Sequence, residues 1–247
     1  MPPDFSRPLK NRDRLVFPLD LPDLESALKY VSLLKDEVGF FKVGLELFTA
    51  LGPDFLKRLK DLAPERGIFL DLKLHDIPQT VGRAARAAAR LEADILTVHA
   101  QGGEKMLQSA RENAGKTLIL GVTLLTSLNA EDMAEIAPEL RSGARYPLFM
   151  ARRALSCGLG GVVASPLELA TFREELGKEA VIAVPGLRPL WARVKGDDQV
   201  RVASPAAALS AGATLLVVGR PIRDADDPVL AARKTVEELD EALLDPR

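Results

Sequence analysis

The chain has 247 residues, of which 47% are hydrophobic and 28% charged, enough to form one large domain or two small ones. Its formal net charge of −2 argues against a nucleic-acid partner, because such proteins normally present a basic face. One cysteine, Cys157, excludes an intrachain disulfide and predicts a reducing, cytoplasmic compartment. The polar, proline-rich start is unlike a signal peptide, and no run approaches the roughly 20 apolar residues of a membrane span.

Short β-like runs alternate with segments of helical apolar spacing along the chain. The predicted strands are Leu15–Leu19, Phe40–Val43, Ile68–Lys73, Ile95–His99, Leu118–Thr123, Gly161–Ala164, Val181–Val184 and Leu215–Gly219. The predicted helical segments are Leu24–Leu34, Phe55–Leu62, Val81–Leu91, Met106–Ala110, Pro147–Leu155, Leu167–Leu176, Pro205–Ala211 and Val229–Leu243. Eight β-runs, each followed by a helix, over about 230 residues predict a (β/α)8 TIM barrel rather than an open doubly wound sheet.

The domain organisation follows from the same pattern. No Gly/Ser-rich linker or break in composition divides the chain, so we expect a single α/β domain over residues 13–247. Residues 1–12 precede the first strand and are expected to form a flexible N-terminal tail.

The most informative segment is residues 70–80, which read Leu-Asp-Leu-Lys-Leu-His-Asp-Ile-Pro-Gln-Thr. Side chains alternate faces along a strand, so Asp71 and Lys73 are predicted to share one face of the third strand. Unpaired charges are too costly to bury in a core, so this face should open into a polar site where opposite charges pair.

Polar residues also occur where other predicted strands end, which is the edge that carries the active site in barrels of this type. They are Asp20 after the first strand, Lys42 in the second, His99 in the fourth, Thr123 at the end of the fifth with Thr126 after it, and Arg220 after the eighth. Pro185-Gly186 follows the seventh strand, and Gly219 precedes Arg220.

The motif Asp71-x-Lys73-x-x-Asp76-Ile77-Pro78-x-Thr80 resembles the signature of the orotidine 5′-phosphate decarboxylase family. The resemblance extends over nearly the whole chain. It includes Leu19-Asp20, Phe41–Gly44, Val98–Ala100, Leu125–Ser127, Val184–Pro189, Gly196–Gln199 and Val218–Ile222. One departure is Phe17-Pro18, where smaller residues are expected. The resemblance implies decarboxylation of orotidine 5′-phosphate to UMP, the last step of de novo pyrimidine nucleotide biosynthesis, without a cofactor.

The resemblance also implies a catalytic network of Lys42, Asp71, Lys73 and Asp76. Lys73 would stabilise a carbanion at C6 of the pyrimidine and then donate a proton to it, which suits a cation held beside two carboxylates. Asp71 would face the departing carboxylate, and Lys42 would hold the carboxylates in position. Asp76 would come from the partner subunit of a homodimer with shared active sites.

Binding roles follow from the same resemblance. Asp20 would accept hydrogen bonds from the ribose, Thr80 would do so from the other subunit, and Thr126 would contact the pyrimidine. The phosphate would be held by Arg188, Gln199, Gly219 and Arg220. The long segment Gly186–Ser204 would close over it as a lid.

Three other interpretations stay open. The Asp71–Lys73–Asp76 group could be a structural ion-pair cluster. The chain could be a Mg²⁺-dependent sugar-phosphate lyase of the same superfamily, or a non-catalytic sensor of phosphate ligands. No metal is expected, because the two histidines, His75 and His99, lack ligand spacing and the rim carboxylates are matched with lysines.

Overall fold

The computed structural model describes residues 5, 9–125, 127–128, 130–136, 145–192 and 203–244. Eight parallel strands form a closed barrel in which each strand pairs with the next along the chain and the last pairs with the first. The strands are β1 (Leu15–Pro18), β2 (Phe40–Gly44), β3 (Gly67–Leu74), β4 (Ile95–His99), β5 (Leu118–Val122), β6 (Gly161–Val163), β7 (Val181–Val184) and β8 (Leu215–Val217). The predicted (β/α)8 fold class is confirmed.

Helices surround the barrel and connect its strands. They are α1 (Asn11–Arg14), α2 (Leu24–Leu34), α3 (Leu45–Leu51), α4 (Asp54–Leu62), α5 (Pro78–Arg90), α6 (Glu104–Asn113), α7 (Ala130–Ile136), α8 (Tyr146–Ser156), α9 (Leu169–Leu176), α10 (Pro205–Ser210), α11 (Arg220–Arg223) and α12 (Pro228–Leu244). The sequence pattern did not predict α1, α3, α7 or α11, which are all short. Within the described ranges, none of the helices combines the length and apolar character that crossing a membrane requires.

Local side-chain chemistry explains where two of the helices begin. Asp23 precedes α2 and accepts a hydrogen bond from the backbone N–H of Ser26 at 2.8 Å. Ser204 precedes α10 and accepts one from Ala207 at 3.1 Å, with Pro205 in the first turn. Such caps satisfy backbone donors that a helix start leaves unpaired, and proline is tolerated there.

The apolar core has two layers, one inside the barrel and one between the barrel and its helices. The inner layer consists of the buried residues Val16, Phe40, Phe69, Ile95, Leu120, Val181, Ala183, Leu215 and Val217. Since these side chains come from seven of the eight strands and Val163 of β6 packs against them, this layer fills the interior of the barrel.

The N-terminal segment contacts the inner layer. Phe5 stacks on Phe40 with the ring centroids 5.9 Å apart, and Leu9 packs against the same cluster. Asn11 is buried and donates a hydrogen bond to Asp240 Oδ1 at 2.7 Å. The contacts above are made by the described part of residues 1–12. The boundary between a tail at 1–12 and the barrel domain stays a prediction.

Arg173 of α9 fixes the chain near the starts of β7 and β8. Its guanidinium donates to the carbonyl oxygens of Gly177, Lys178, Ala180 and Gly212 at 2.6–3.2 Å. A further N–H donates to the hydroxyl of Thr214 at 3.1 Å. One planar side chain therefore satisfies several carbonyl groups that would otherwise lack donors.

We expect Arg173→Met to lower the free energy of unfolding by about 2–4 kcal/mol, because it leaves these carbonyls without their donor. Urea denaturation of the two proteins measures the difference. Arg152→Met is the matched control: this arginine pairs with Glu175 on the surface, where its side chain is 57% exposed. Loss of this surface ion pair should lower the free energy of unfolding by less than about 1 kcal/mol. Equal losses for both variants would contradict the role of Arg173.

Candidate active site

A cavity of about 700 Å³ opens at the carboxyl ends of the strands. Phe69, Ala183 and Val217 of the inner apolar layer contribute to its wall, and most of the predicted polar residues also line it. The predicted polar residues among them are Asp20, Lys42, Asp71, Lys73, Arg188 and Arg220, and Gly219 and Asp224 also line the cavity. A volume of this size suits a small-molecule ligand.

Four side chains form a charge cluster, defined here as Asp20, Lys42, Asp71 and Lys73. Lys73 Nζ donates to Asp71 Oδ2 at 2.7 Å. Lys42 Nζ lies 3.6 Å from the same oxygen and 3.2 Å from Asp20 Oδ1. The two ammonium groups therefore share the carboxylate of Asp71. The pairing of Asp71 with Lys73 on β3 agrees with the expectation from the sequence.

Burial differs across the charge cluster. The side chains of Lys42 and Asp71 are each 12% exposed, that of Lys73 is 30% exposed, and that of Asp20 is 55% exposed. Burial alone would raise the pKa of Asp71, but the Lys42 and Lys73 ammonium groups and hydrogen bonds from Lys73 and Thr97 outweigh it. They hold that pKa below the usual aspartate value. Asp71 is therefore ionised at neutral pH.

A bulge in β3 determines how Lys73 enters the cavity. Leu70 pairs with Leu96 and Leu74 with Val98, so residues 71–73 of β3 lie opposite the single residue Thr97 of β4. Lys73 has φ +48°, in the left-handed region that few residues other than glycine adopt. The bulge interrupts the regular alternation assumed from the sequence, yet Asp71 and Lys73 still reach the same cavity.

Thr97 is a site residue that sequence reasoning missed. It is fully buried, and its hydroxyl donates to Asp71 Oδ1 at 2.8 Å while accepting from the backbone N–H of Lys73 at 2.9 Å. The one available signal was a polar residue within the apolar run Ile95–Val98, two positions before His99.

His99 and His75 form a pair beside the charge cluster, with ring centroids 5.4 Å apart. Burial lowers the pKa of His99, and the nearby His75 and Lys73 lower it further against the opposing effect of Asp71. His99 is therefore neutral at neutral pH.

The segment after β8 brings Gly219 and Arg220 to the cavity. A side chain at Gly219 would put its Cβ 2.8 Å from Pro18 Cγ, so Pro18 in β1 explains why glycine is needed there. The missing side chain also lets a ligand approach the backbone closely. Arg220 begins α11 and lines the same part of the wall.

The segment after β7 is anchored at two points by Glu238 of α12. Glu238 is 8% exposed, and its carboxylate accepts from the backbone N–H groups of Leu190 at 2.7 Å and Ala206 at 3.3 Å. The backbone N–H of Arg188 donates to Ala203 at 3.1 Å. The two ends of the predicted lid segment are thus bonded to each other, and Leu190 near its start is held by α12.

Two predicted site residues do not line this cavity. Asp76 is exposed, and its Oδ1 accepts from the backbone N–H of Ile77 at 2.7 Å. Thr80 is exposed in the first turn of α5. Their assignment to a partner subunit stays a prediction. Thr126 and Gln199 lie outside the described residues.

Asp20 and Asp71 already pair with lysines, so the rim carboxylates do not form a cluster suited to a hard cation. More generally, among the described residues no group of three or more His, Cys, Asp or Glu side chains could hold a metal ion.

Comparisons with known proteins agree with this geometry. Residues 13–235 match the model of the orotidine 5′-phosphate decarboxylase / HUMPS family. The chain is 45% identical to orotidine 5′-phosphate decarboxylase of Desulfosudis oleivorans over 94% of this chain and 95% of that protein. It is 47% identical to that of Moorella thermoacetica over 93% of each chain.

A solved structure agrees in fold as well as in sequence. The crystal structure of orotidine 5′-phosphate decarboxylase from Lactobacillus acidophilus superposes with a TM-score of 0.80 at 36% identity, over 92% of this chain and 98% of that one. On sequence and fold together, the chain belongs to the orotidine 5′-phosphate decarboxylase / HUMPS family.

Proposed function

We propose that the chain decarboxylates orotidine 5′-phosphate to UMP in pyrimidine nucleotide biosynthesis. Membership of the family and the names of its relatives support this activity. The observation that carries the proposal is the Lys73 ammonium, 2.7 Å from the Asp71 carboxylate in a cavity that Arg188 and Arg220 also line. This arrangement offers a cation for a developing carbanion and arginines for a phosphate.

The chemistry requires such a cation. The bond between C6 of the pyrimidine and its carboxylate breaks, CO2 leaves, and the electron pair stays at C6. No carbonyl conjugated with C6 absorbs that charge, so a preorganised positive group must stabilise it. Lys73 supplies the charge and then transfers its ammonium proton to C6, which gives UMP; water restores the proton to Lys73.

The other members of the charge cluster set up this step. Asp71 faces the substrate carboxylate and orients the Lys73 ammonium through its hydrogen bond. Lys42, 3.6 Å from Asp71 Oδ2 and 3.2 Å from Asp20 Oδ1, balances both carboxylates. Asp20 accepts hydrogen bonds from the ribose hydroxyls, for which its greater exposure at the cavity mouth is suited.

Binding of the nucleotide uses the rest of the rim. Arg188, Gly219 and Arg220 hold the phosphate, since guanidinium groups match phosphate geometry and an unsubstituted backbone allows close approach. Gln199 joins them and Thr126 contacts the pyrimidine; both roles rest on the family resemblance alone.

The active unit is proposed to be a homodimer in which Asp76 and Thr80 of each chain complete the site of its partner. The exposure of both residues and of Ile77 between them, which is 64% exposed, supports their use at an interface. A cytoplasmic location is part of the same proposal and rests on the single cysteine.

The alternatives fit the site less well. A Mg²⁺-dependent sugar-phosphate lyase needs acidic residues free to bind the cation, whereas Asp20 and Asp71 are paired with lysines. A sensor of phosphate ligands has no need for two partly buried lysines around one carboxylate. A structural ion-pair cluster would not require an open cavity beside it.

The direct test follows the absorbance of orotidine 5′-phosphate with the purified chain in excess EDTA. We expect full turnover by the wild type and nearly none by Lys73→Ala, because the charge is used mainly in the transition state. Lys57→Ala, which removes a surface lysine paired with Asp54, should be fully active. A tenth of wild-type kcat in Lys73→Ala would refute the mechanism, and a strict Mg²⁺ requirement would favour the lyase.

Arg220→Ala should act through the phosphate. A charge-assisted contact of about 1.5–3 kcal/mol predicts a loss of roughly 10- to 150-fold in kcat/KM for the nucleotide. For a truncated substrate without phosphate, Arg220→Ala and the wild type should have nearly equal kcat/KM. Arg233→Ala is the control, since this arginine pairs with Glu37 on the outer surface. Equal losses toward both substrates would show that Arg220 has a different role.

Mixing two inactive variants tests the shared site. Lys73→Ala and Asp76→Ala protomers should each be inactive alone, yet a mixed dimer has one site with an intact Lys73 and an intact Asp76. Random exchange makes about half of the dimers mixed, so roughly a quarter of wild-type sites should return. If mass spectrometry shows exchange and no activity returns, Asp76 works within its own chain.

A further inference from the structure

Thr97 occupies a position that the proposed chemistry does not yet use. Its hydroxyl lies between the carboxylate of Asp71 and the backbone of Lys73, with distances of 2.8 Å and 2.9 Å. It is fully buried and does not line the cavity. It therefore cannot act on the substrate directly and can act only through these two neighbours.

The direction of both hydrogen bonds is determined by the chemistry of the groups. The backbone N–H of Lys73 can only donate, so it occupies a lone pair of the Thr97 oxygen. The hydroxyl proton is then free to point only toward Asp71 Oδ1, which as a carboxylate oxygen can only accept. The hydroxyl thus accepts a hydrogen bond from the backbone of Lys73 and donates one to the carboxylate of Asp71.

The first bond orients the carboxylate of Asp71. Its Oδ2 receives Lys73 Nζ at 2.7 Å and lies 3.6 Å from Lys42 Nζ. Thr97 donates to the other oxygen, Oδ1, from β4. Because both oxygens are held, the plane of the carboxylate is set before any substrate binds.

The second bond holds the backbone of Lys73 at the bulge of β3. A lysine at φ +48° is strained compared with ordinary strand geometry, so its neighbours must hold it there. Thr97 is the one residue of β4 that faces the extra residues of the bulge. Its bond to Lys73 N–H therefore helps to set the direction from which the ammonium reaches the cavity.

We propose that Thr97 is a positioning residue that aligns the Asp71 carboxylate and the Lys73 ammonium through one hydroxyl group. The proposal rests on the decarboxylase function proposed above. It adds that the hydroxyl, rather than the volume of the side chain, determines the rate of the chemical step.

The test compares three substitutions at this position. Thr97→Val keeps the shape and removes the hydroxyl, and Thr97→Ser keeps the hydroxyl and removes a methyl group. Thr97→Cys fills the site with a much weaker donor. Thr235→Val is the matched control, because Thr235 is also fully buried and donates to Ala231 at 2.8 Å, in α12 away from the cavity.

We expect kcat for orotidine 5′-phosphate to fall by about 10- to 100-fold in Thr97→Val, because misalignment of catalytic groups costs rate steeply. KM and the affinity for UMP should change by less than about threefold, because the phosphate and ribose contacts are intact. Thr97→Ser should stay within about threefold of wild-type kcat, Thr97→Cys should lie between Ser and Val, and Thr235→Val should match the wild type.

A second measurement reports the alignment of Lys73 without decarboxylation. Exchange of the C6 hydrogen of UMP for deuterium in D2O requires proton transfer between C6 and Lys73, so it should slow in the same order as kcat. If Thr97→Val does not fold, the test is the kcat of Thr97→Ser against that of Thr97→Cys. In hydrogen bonding, these two side chains differ in how strongly they donate.

The outcomes are distinct. Wild-type kcat in a folded Thr97→Val, or equal losses in the Ser and Val variants, would overturn the positioning role, and so would equal kcat in Ser and Cys. A loss confined to KM would also overturn it. If the wild-type chain itself does not decarboxylate orotidine 5′-phosphate, the proposed function fails before Thr97 is tested.

Discussion

The carboxylate of Asp71 between two lysine ammonium groups is the interaction on which the cavity depends. Lys42 and Lys73 would repel each other across a partly buried space if this carboxylate were absent or protonated. Breaking such a group by removing one partner leaves uncompensated charge, which is strongly unfavourable. The hydrogen bond from Thr97 and the bulge of β3 are arranged around this one carboxylate.

The barrel places these charges in an environment where their electrostatic interactions are stronger than at the protein surface. Phe69, Ala183 and Val217 form an apolar wall beside the charge cluster, and this wall limits solvent screening. The groups are held in place by hydrogen bonds before a ligand arrives, so little reorganisation is needed when charge develops on the substrate. Surface pairs such as Lys57–Asp54, whose side chains are 70% and 80% exposed, have no comparable effect.

The regular part of the fold could be predicted from the sequence, whereas its irregular features could not. The strands were found because buried apolar runs bounded by polar residues are distinctive, and Ile95–His99 and Val181–Val184 agree residue for residue. Helix Leu45–Leu51 was missed because it is short and follows β2 directly. The bulge beside Lys73 and the role of Thr97 depend on pairing between β3 and β4, which no local pattern encodes.

The left-handed backbone of Lys73 sets a limit on how far this protein can be stabilised. Glycine is the residue that adopts φ +48° without cost, so Lys73→Gly would relieve backbone strain at the position where the ammonium is needed. The same substitution would leave Asp71 without the ammonium group that lies 2.7 Å away, so loss of an ion pair offsets the relief of backbone strain. The strain is therefore kept together with the lysine proposed for catalysis, and additional stability has to come from positions outside the bulge of β3.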